Sequence, residues 1–323
     1  MIKIWVLYWK LDYLCLKIWS KHLKLKFKCK HPEVLGPAGL YKDYSTKSFD
    51  NSCIDEKVKI ISDHVPVHRK PVRDDEFGYY LAGLIEGDGY ISKEVLSITI
   101  AFNHLDAPLA YYIKNRIGSG VVDKVKNKNA LVYRANSAGC IVIANLINGK
   151  LRTDKIKNFN CLLELINKRR LTPGEVPPIE KDTSDMRNSN WLAGFTDADG
   201  SFQVKILNRE ARKLGFEIRL NYQLDQKNRL ILDQIKEVFG GSIGHRKSQD
   251  TFYYASVSFG SAVKFVNYFD QFNLLSSKHL NYLKWRNVYS LVQRKEHLTK
   301  NGIKKIIRIK SHMNDLSKDS FEL

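Results

Sequence analysis

The chain has 323 residues, 43% of them apolar, so it is long enough for one large domain or two of ordinary size with a buried core. Its 53 Lys and Arg residues against 34 Asp and Glu give a net charge of +19, which favours a polyanionic partner: nucleic acid first, an acidic membrane surface second. Five widely spaced cysteines without a Cys-x-x-Cys pair argue against a disulfide framework and against a zinc cluster.

Residues 1–76 are predicted to form an N-terminal extension and linker. Residues 1–20 are rich in Trp, Leu, Ile and Tyr, but charged residues interrupt them, which argues against a stable membrane span. A basic amphipathic membrane anchor is the alternative interpretation. Residues 31–76 carry Pro and Gly among polar residues without periodicity, which is typical of a linker. Deletion of residues 1–70 is therefore expected to leave activity intact.

One nine-residue pattern occurs twice, as LAGLIEGDG at 81–89 and as LAGFTDADG at 192–200. Each copy has small residues early, apolar residues next, and an acid directly before a glycine. The repetition predicts two similar units, each opened by a helix that ends at the glycine. Small residues in both helices would let their backbones pack closely and would bring Asp88 and Asp199 together.

The helix of each motif opens the same order of predicted elements, α-β-β-α-β-β-α(α), which predicts an α+β fold of two pseudo-symmetric halves. The halves are predicted at 77–170 and 189–296, with a Pro- and Gly-containing linker at 171–188 and a basic C-terminal tail at 297–323. The predicted strands are 90–92, 95–102, 121–126 and 130–136 in the first half, and 201–207, 216–224, 242–245 and 252–259 in the second.

Alternation along these strands predicts that one sheet face packs on helices while the other stays polar and exposed. Arg, Lys, Asn and Gln on such a face are the groups that contact phosphates and base edges of nucleic acid. The clustering of these residue types on the strands, rather than any single position, indicates a DNA-binding surface. The candidate contacts are Lys124, Lys126, Lys128, Tyr133, Arg134, Lys205, Arg209, Arg219, Asn221, Gln223, Arg246, Lys247, Gln249 and Tyr253.

The two motif acids carry the predicted chemistry. Carboxylates side by side at the ends of two helices repel each other and face unfavourable helix dipoles, so they favour a cation between them. Oxygen ligands of this kind select Mg²⁺, and Mg²⁺ beside a polyanion indicates phosphodiester hydrolysis. Glu86 and Asp197 lie two residues earlier and would point elsewhere, so a local structural role is predicted for them.

With these motifs, the chain resembles the LAGLIDADG homing endonucleases of the single-chain, two-motif kind, typically encoded in organellar introns. The resemblance covers about residues 77–296. It implies a saddle of two antiparallel four-stranded sheets along the DNA major groove, with the motif helices at its centre. It also implies Mg²⁺-dependent cutting of both strands of a long asymmetric site, with 3′ overhangs and with Asp88 and Asp199 as the metal-binding acids. The first motif departs from the family name by its Glu86-Gly87.

The resemblance also assigns a lysine just before the last helix of each half, and Lys155 and Lys278 stand at those places. They would polarise water and offset charge that develops on the phosphate. Gln223 and Asn103 lie at predicted strand ends near the site and are candidates for positioning water.

Two rival functions remain open on the sequence alone. The first is an intron RNA maturase, alone or as a second activity, because the family includes such members and basic faces suit either nucleic acid. The second is a DNA-binding regulator that lost the chemistry, although both acids are present. The chain is expected to act as a monomer. Its abundance of Lys, Asn and Ile, which AT-rich codons would give, predicts an organelle-encoded protein of the mitochondrion, with the plastid as second choice.

Overall fold

The computed structural model describes residues 60–212 and 214–313. The predictions on residues 1–59, including the apolar stretch and the membrane-anchor alternative, lie outside the described residues, as does the part of the basic tail after residue 313. No helix in the described part of the chain is long and apolar enough to cross a bilayer.

The first half opens with the helix that carries the first motif. Its four strands form one antiparallel sheet in the order β1-β2-β4-β3, with the helices on one face. The elements are α1 Asp74–Asp88, β1 Gly89–Ile91, β2 Ile98–Asn103, a 3-10 turn at His104–Asp106, α2 Ala107–Ile117, β3 Val121–Lys124, β4 Ala130–Ala135, α3 Ser137–Ile147 and α4 Ile156–Lys168.

The second half repeats this order, and its sheet has the equivalent strand order β5-β6-β8-β7. The predicted α+β fold with two antiparallel four-stranded sheets is thereby confirmed. The elements are a 3-10 turn at Met186–Asn188, α5 Trp191–Asp199, β5 Gly200–Asn208, β6 Phe216–Gln226, α6 Leu230–Phe239, β7 Ser242–Arg246, β8 Thr251–Ser256, α7 Phe259–Gln271, α8 Lys278–Gln293, a 3-10 turn at Glu296–Leu298 and α9 Lys300–Ser311.

At two of the boundaries that differ from the prediction, side chains cap helices. The strand predicted at 252–259 ends at Ser256, since the Ser258 hydroxyl accepts a hydrogen bond from the Ser261 amide and starts α7. The predicted basic tail contains α9, whose start is capped by the Thr299 hydroxyl on the Gly302 amide.

The motif helices α1 and α5 pack with their backbones in contact. A Cβ atom placed on Gly83 would lie 2.0 Å from the carbonyl oxygen of Trp191, and one on Gly194 would lie 1.9 Å from that of Tyr80. Only glycine leaves room for this approach, and the two contacts are related by the pseudo-twofold relation between the halves. The packing puts the ends of α1 and α5, and therefore the two motif acids, beside each other.

The glycines that end these helices are required by the lack of room for a side chain and not by a left-handed backbone conformation. Gly89 and Gly200 are both extended, with φ of −86° and −80°. A Cβ on Gly89 would lie 2.6 Å from the carbonyl oxygen of Ile85, and one on Gly200 would lie 2.4 Å from Thr196 Cγ2. Each glycine therefore lets the chain turn directly from the motif helix into the first strand of its sheet.

We expect Gly194→Ala to destabilise the protein by at least about 3 kcal/mol, because a methyl group would overlap the α1 backbone. Gly260→Ala is the matched control. Gly260 also lies in a helix, but nothing stands within 4 Å of its missing Cβ, so alanine should be neutral or stabilise by a few tenths of a kcal/mol. Urea unfolding of both variants measures the difference, and equal midpoints would contradict the close packing.

Residues 60–73, here called the strap, cross from the second half to the first. At the beginning of the strap, Arg286 of α8 donates to the carbonyl oxygens of Ser62 (3.0 Å) and His64 (3.2 Å). Nearer its end, His68 Nε2 lies 2.8 Å from the carbonyl oxygen of Leu274, and the Arg69 amide donates to Asn273 Oδ1 at 2.6 Å.

The strap reaches the first half at Pro71. The Pro71 carbonyl oxygen accepts hydrogen bonds from Tyr112 (3.2 Å) and Arg116 (2.8 Å) of α2. A segment that the sequence presents as linker is thus attached to both halves, and it touches the loop that precedes Lys278.

Because of the strap, the stability of a truncated chain should depend on the residue at which it starts. We expect a chain that starts at residue 60 to keep these contacts, whereas a chain that starts at residue 71 should lose about 2–4 kcal/mol, because the buried Arg286 and Asn273 lose hydrogen-bond partners. Thermal unfolding of the two truncations compares them directly. Identical melting temperatures would restore the expectation that residues 1–70 are dispensable.

Candidate active site

Asp88 and Asp199, the last residues of α1 and α5, meet at the junction of the halves. Asp199 Oδ2 lies 3.2 Å from the position of a Cβ on Gly87, the residue before Asp88. Burial and the neighbouring Asp199 raise the pKa of Asp88 to about 6, and burial raises the pKa of Asp199 above its usual value. Two carboxylates whose ionisation is opposed in this way favour a cation between them.

These acids suit a hard divalent ion whose remaining coordination positions are open to substrate. In the described part of the chain, no group of three or more His, Cys, Asp or Glu side chains is placed to hold a metal ion. The pair Asp88 and Asp199 therefore supplies two carboxylates rather than a complete cage. Mg²⁺ is usually held by one or two carboxylates together with substrate phosphates, so the residues present fit such an ion.

Glu86, two residues before Asp88, is a fully enclosed acceptor in the first half. Its carboxylate accepts hydrogen bonds from the Arg152 amide (2.9 Å), from Thr153 Oγ1 (2.6 Å) and from the Trp191 indole Nε1 (2.6 Å). Burial raises the pKa of Glu86, although these donors oppose the rise. Glu86 therefore attaches the loop before Lys155 to the end of α1, and Trp191 of α5 contributes from the other half.

Asp197 has the equivalent position in the second half. Its carboxylate accepts hydrogen bonds from the Leu275 amide (2.7 Å), from Ser276 Oγ (2.5 Å) and from the Tyr80 hydroxyl (2.6 Å). Tyr80 lies on α1, so the cross-half donor is again supplied by the opposite motif helix. Each lysine-bearing loop is thus held by an acid of its own half, and each acid is held by a ring of the other half.

Lys155 closes the C-terminal end of α1. Its ammonium donates to the carbonyl oxygens of Ile85 (2.8 Å), Gly87 (2.9 Å) and Gly89 (2.7 Å). A cation at this end of a helix is favoured by the helix dipole and by the unpaired carbonyls there. Burial lowers the pKa of Lys155, and the nearby acids, Asp199 first, oppose that change.

Lys278 does the same at the end of α5. Its ammonium donates to the carbonyl oxygens of Ala198 (2.5 Å) and Thr196 (3.2 Å). Burial lowers its pKa, with Asp197 and Asp88 opposing the change. Both lysines in turn hold down the pKa of Asp88, so the four charged groups form one electrostatic unit across the two halves.

The amide side chain at this site is Gln226, which the sequence did not single out. Gln226 Nε2 lies 2.5 Å from Asp199 Oδ2. Gln223, the predicted candidate, lies three residues earlier on β6 and donates to Asp225 at 2.9 Å on the open face of the sheet. The prediction missed Gln226 because it ended β6 too early: the strand runs to Gln226, two residues beyond its predicted end.

Asn103, the other candidate for positioning water, caps a turn instead. Its side chain accepts a hydrogen bond from the Leu105 amide.

The predicted DNA contacts of the first half are only partly on its open face. Arg134 is exposed there, and Lys124, Lys126 and Lys128 are exposed around the β3–β4 turn. Tyr133 is fully buried and its hydroxyl donates to the Ser119 carbonyl oxygen at 2.8 Å. Its prediction as a DNA contact is wrong, because neighbouring strand residues point to opposite faces and Tyr133 belongs to the helix-covered one.

The candidates of the second half follow the open face of the longer sheet. Arg209 lies in the β5–β6 loop, and Lys247 and Gln249 are exposed in the β7–β8 turn. Asn221 points to the same open face as Gln203 and Gln223 but is completely covered, donating to Gln203 Oε1 at 3.1 Å. Candidates on the strands themselves are Lys205, Arg219, Asn221, Gln223, Arg246 and Tyr253.

Known proteins are similar to this chain in sequence. The family model described as LAGLIDADG endonuclease matches residues 192–289. An uncharacterized cox1 intron-2 protein of Schizosaccharomyces pombe is 44% identical over 302 residues, covering 90% of each chain. The intron-encoded DNA endonuclease aI3 of Saccharomyces cerevisiae is 28% identical over 309 residues, covering 81% of this chain and 72% of that protein.

A solved structure has the same fold. The LAGLIDADG homing endonuclease I-LtrWI bound to target DNA superposes with a TM-score of 0.59 at 21% identity, covering 75% of this chain and 99% of that one. Fold, doubled motif and relatives together define the class of the two-motif homing endonucleases. This chain belongs to the LAGLIDADG endonuclease family.

The carboxylates that hold the lysine loops should matter for stability and for cleavage. We expect Glu86→Gln to lower stability by about 2–4 kcal/mol, because in either orientation the new amide NH₂ would face at least two of the hydrogen-bond donors around this buried carboxylate. Cleavage should slow as well, since the loop before Lys155 loses its anchor. Urea unfolding and cleavage rates, measured well below the melting temperature, test both effects.

Trp191→Phe is the matched control for this variant. It keeps an aromatic ring against Phe195 but removes the indole donor and some buried volume, so stability should fall by about 1–3 kcal/mol. Because the carboxylate still holds the loop before Lys155, cleavage should slow less than in Glu86→Gln. A Glu86→Gln protein as stable as the parent would show that the carboxylate does not hold the loop.

Proposed function

We propose that this chain is a site-specific DNA endonuclease that hydrolyses one phosphodiester bond in each strand of a long asymmetric target and leaves 3′ overhangs. The observation that carries the proposal is the meeting of Asp88 and Asp199, one from each half, at the ends of two packed helices. A single acid at a helix end has an ordinary structural explanation; two in equivalent positions with raised pKa values favour a shared cation.

Mg²⁺ is the proposed ion, and bound between Asp88 and Asp199 it would polarise a phosphate oxygen and lower the pKa of water. The protein's own groups would act around it. Lys155 and Lys278 place a positive charge behind each acid and would offset charge that develops on the phosphates. Gln226 holds Asp199 by a hydrogen bond and so orients that carboxylate.

The two sheets supply the proposed DNA surface. Both begin at the glycine directly after a motif acid, so a duplex whose phosphates reach the acids would lie along the open faces. The target is expected to be asymmetric because β5 and β6 have 9 and 11 residues, whereas β1 and β2 have 3 and 6. Since both halves are present in one chain, a monomer would complete the site.

The names of relatives as intron-encoded proteins, one of them from cox1, support the proposal of a protein encoded by a mitochondrial intron. An RNA maturase activity stays a prediction of the sequence. Splicing of the chain's own intron transcript, measured beside cleavage, would test it.

Selection of cleaved duplexes from a randomised library, with Mg²⁺ and separately with EDTA, tests the proposed function. We expect one family of sequences to be cut in Mg²⁺ only, with 3′ overhangs on both products. Cleavage that continues in EDTA would contradict the metal assignment. Absence of any selected sequence, from protein whose folding has been verified, would contradict the endonuclease proposal.

A further inference from the structure

The open face of the first sheet is lined by small and apolar side chains. Strand pairing sets Thr99 opposite Arg134, and Ala101 opposite Val132, on this face. Tyr90 and Val121 lie on it as well and are 59% and 51% exposed. The sequence predicted a polar face here, but the lysines lie at the end of β3 and in the β3–β4 turn.

The one basic side chain on these strands that points to the open face is already neutralised. The Arg134 guanidinium forms an ion pair with Asp123 on the neighbouring strand. Lys126 and Lys128 are exposed in the β3–β4 turn, at the margin of the sheet. Unpaired positive charge is thus available to phosphates in the turn, while beside the Arg134–Asp123 pair the face offers the methyl groups of Thr99, Ala101 and Val132.

The open face of the second sheet has the opposite chemistry. Here Gln203 stands opposite Asn221, and Ser201 stands opposite Gln223. Their amides form a connected array: the covered Asn221 donates to Gln203 Oε1 at 3.1 Å and so orients that amide, and Gln223 donates to Asp225 at 2.9 Å. This surface offers donors and acceptors in fixed positions, as recognition of base edges requires.

We propose that the two halves read DNA by different chemistry: the first half through thymine methyl groups, the second through hydrogen bonds to base edges. This inference rests on the proposed function. Among the groups in the major groove, the C5-methyl of thymine is the one that an apolar side chain can recognise, and each base pair also presents distinct donors and acceptors. The half-site under β1 to β4 should therefore be rich in thymine.

The first face is assigned to DNA by its continuity with the catalytic centre. β1 begins at Gly89, directly after Asp88, and Tyr90 is the next residue on the open face. A duplex with a phosphate at Asp88 must pass over Tyr90, Thr99 and Ala101. An apolar surface in this place is covered when DNA binds, which gains free energy from every methyl group buried.

Base analogues in the selected target test the proposal with the full-length chain. Deoxyuridine in place of thymidine removes the methyl group alone, and 7-deazapurines remove the N7 acceptor alone. We expect deoxyuridine to weaken binding about fourfold for each contacted methyl in one half-site and to have no effect in the other. The 7-deazapurines should weaken binding at least about fivefold in that other half-site.

Two variants assign each half-site to its sheet. Val132→Thr keeps the shape and adds a hydroxyl, so it should reduce the penalty of deoxyuridine at one position and leave the 7-deazapurine penalties unchanged. Gln223→Leu should remove one 7-deazapurine penalty and leave the deoxyuridine penalties unchanged. Thermal unfolding of both variants verifies that they fold.

Several results would overturn the inference while leaving the endonuclease proposal intact. They are equal deoxyuridine penalties in both half-sites, no such penalty at all, a selected target without thymine in either half-site, or a Val132→Thr protein with an unchanged deoxyuridine pattern. A concentration-dependent dimer that is broken by Val132→Thr would assign the apolar face to a second copy of the chain. If no duplex is selected or cut in Mg²⁺, the proposed function itself fails.

Discussion

Asp88→Asn and Asp199→Asn are each expected to abolish cleavage, by a factor of about a thousand or more, and to leave DNA affinity within a few-fold of the parent. Each substitution removes one of the two carboxylates that would hold the cation, while the sheets that contact DNA are unchanged. Single-turnover cleavage and fluorescence anisotropy in Ca²⁺ measure the two quantities separately.

Without metal, the substitution that abolishes cleavage is expected to increase stability. The folded-state pKa of Asp88 is raised to about 6, so its contribution to stability is present at low pH and is lost as the pH rises through 6. Asp88→Asn removes a charge that the folded protein disfavours. In EDTA at pH 8 it should therefore be more stable than the parent. The gain should be about 1–2 kcal/mol, because the surrounding protein desolvates the Asp88 carboxyl on one side while water reaches it on the other and screens part of the effect.

Asp233→Asn is the matched control, because Asp233 is a surface acid of α6 that pairs with Arg229. It should leave the cleavage rate unchanged. An Asp88→Asn or Asp199→Asn enzyme that cuts at the parental rate would end the assignment of the site.

Lys155→Met and Lys278→Met should each slow cleavage about a hundredfold, because a preorganised charge beside the developing phosphate charge is lost. Each lysine belongs to the end of one motif helix, so each variant should impair one strand more than the other. Nicked plasmid should then accumulate before linear product. Gel analysis of supercoiled plasmid over time measures the two products.

The lysine variants also have a pH signature that loss of packing alone would not produce. Both ammonium groups lower the pKa of Asp88, so without one of them that pKa should move above 6 and the residual cleavage should require a higher pH. Lys157→Met, an exposed position on α4 two residues after Lys155, is the control and should keep the parental rate and profile. A variant of Lys155 with an unchanged rate would exclude the proposed role.

The repeat of nine residues was enough to predict most of the fold. Small residues at the same places in both copies predicted the close helix pair, and periodicity after each copy predicted eight strands in two equivalent sets. These features are local in sequence, since a backbone contact needs glycine and a strand needs alternation. For the same reason the sequence placed Asp88, Asp199, Lys155 and Lys278 in equivalent positions of the two halves.

The details of the site depended on tertiary contacts. The end of β6 lies two residues beyond its predicted position. For this reason Gln226 and not Gln223 contacts Asp199, because the register of a strand decides which side chain reaches the acids. The same alternation buries Tyr133. Residues 60–73 show no periodicity, and most of the hydrogen bonds that hold them come from residues more than 200 positions later in the chain, with Tyr112 and Arg116 of α2 holding their end.

The sequence by itself therefore determined that the chain forms two equivalent halves and which acids these bring to the centre, because the repeat and the small residues in it are visible in the sequence. Only the tertiary structure decided how Glu86 and Asp197 are held, through Trp191 and Tyr80 donating from the opposite motif helix. It also decided that the two open faces differ in chemistry. Such pairings join residues far apart in the chain, and the pattern of one strand does not reveal the partner or the face of another.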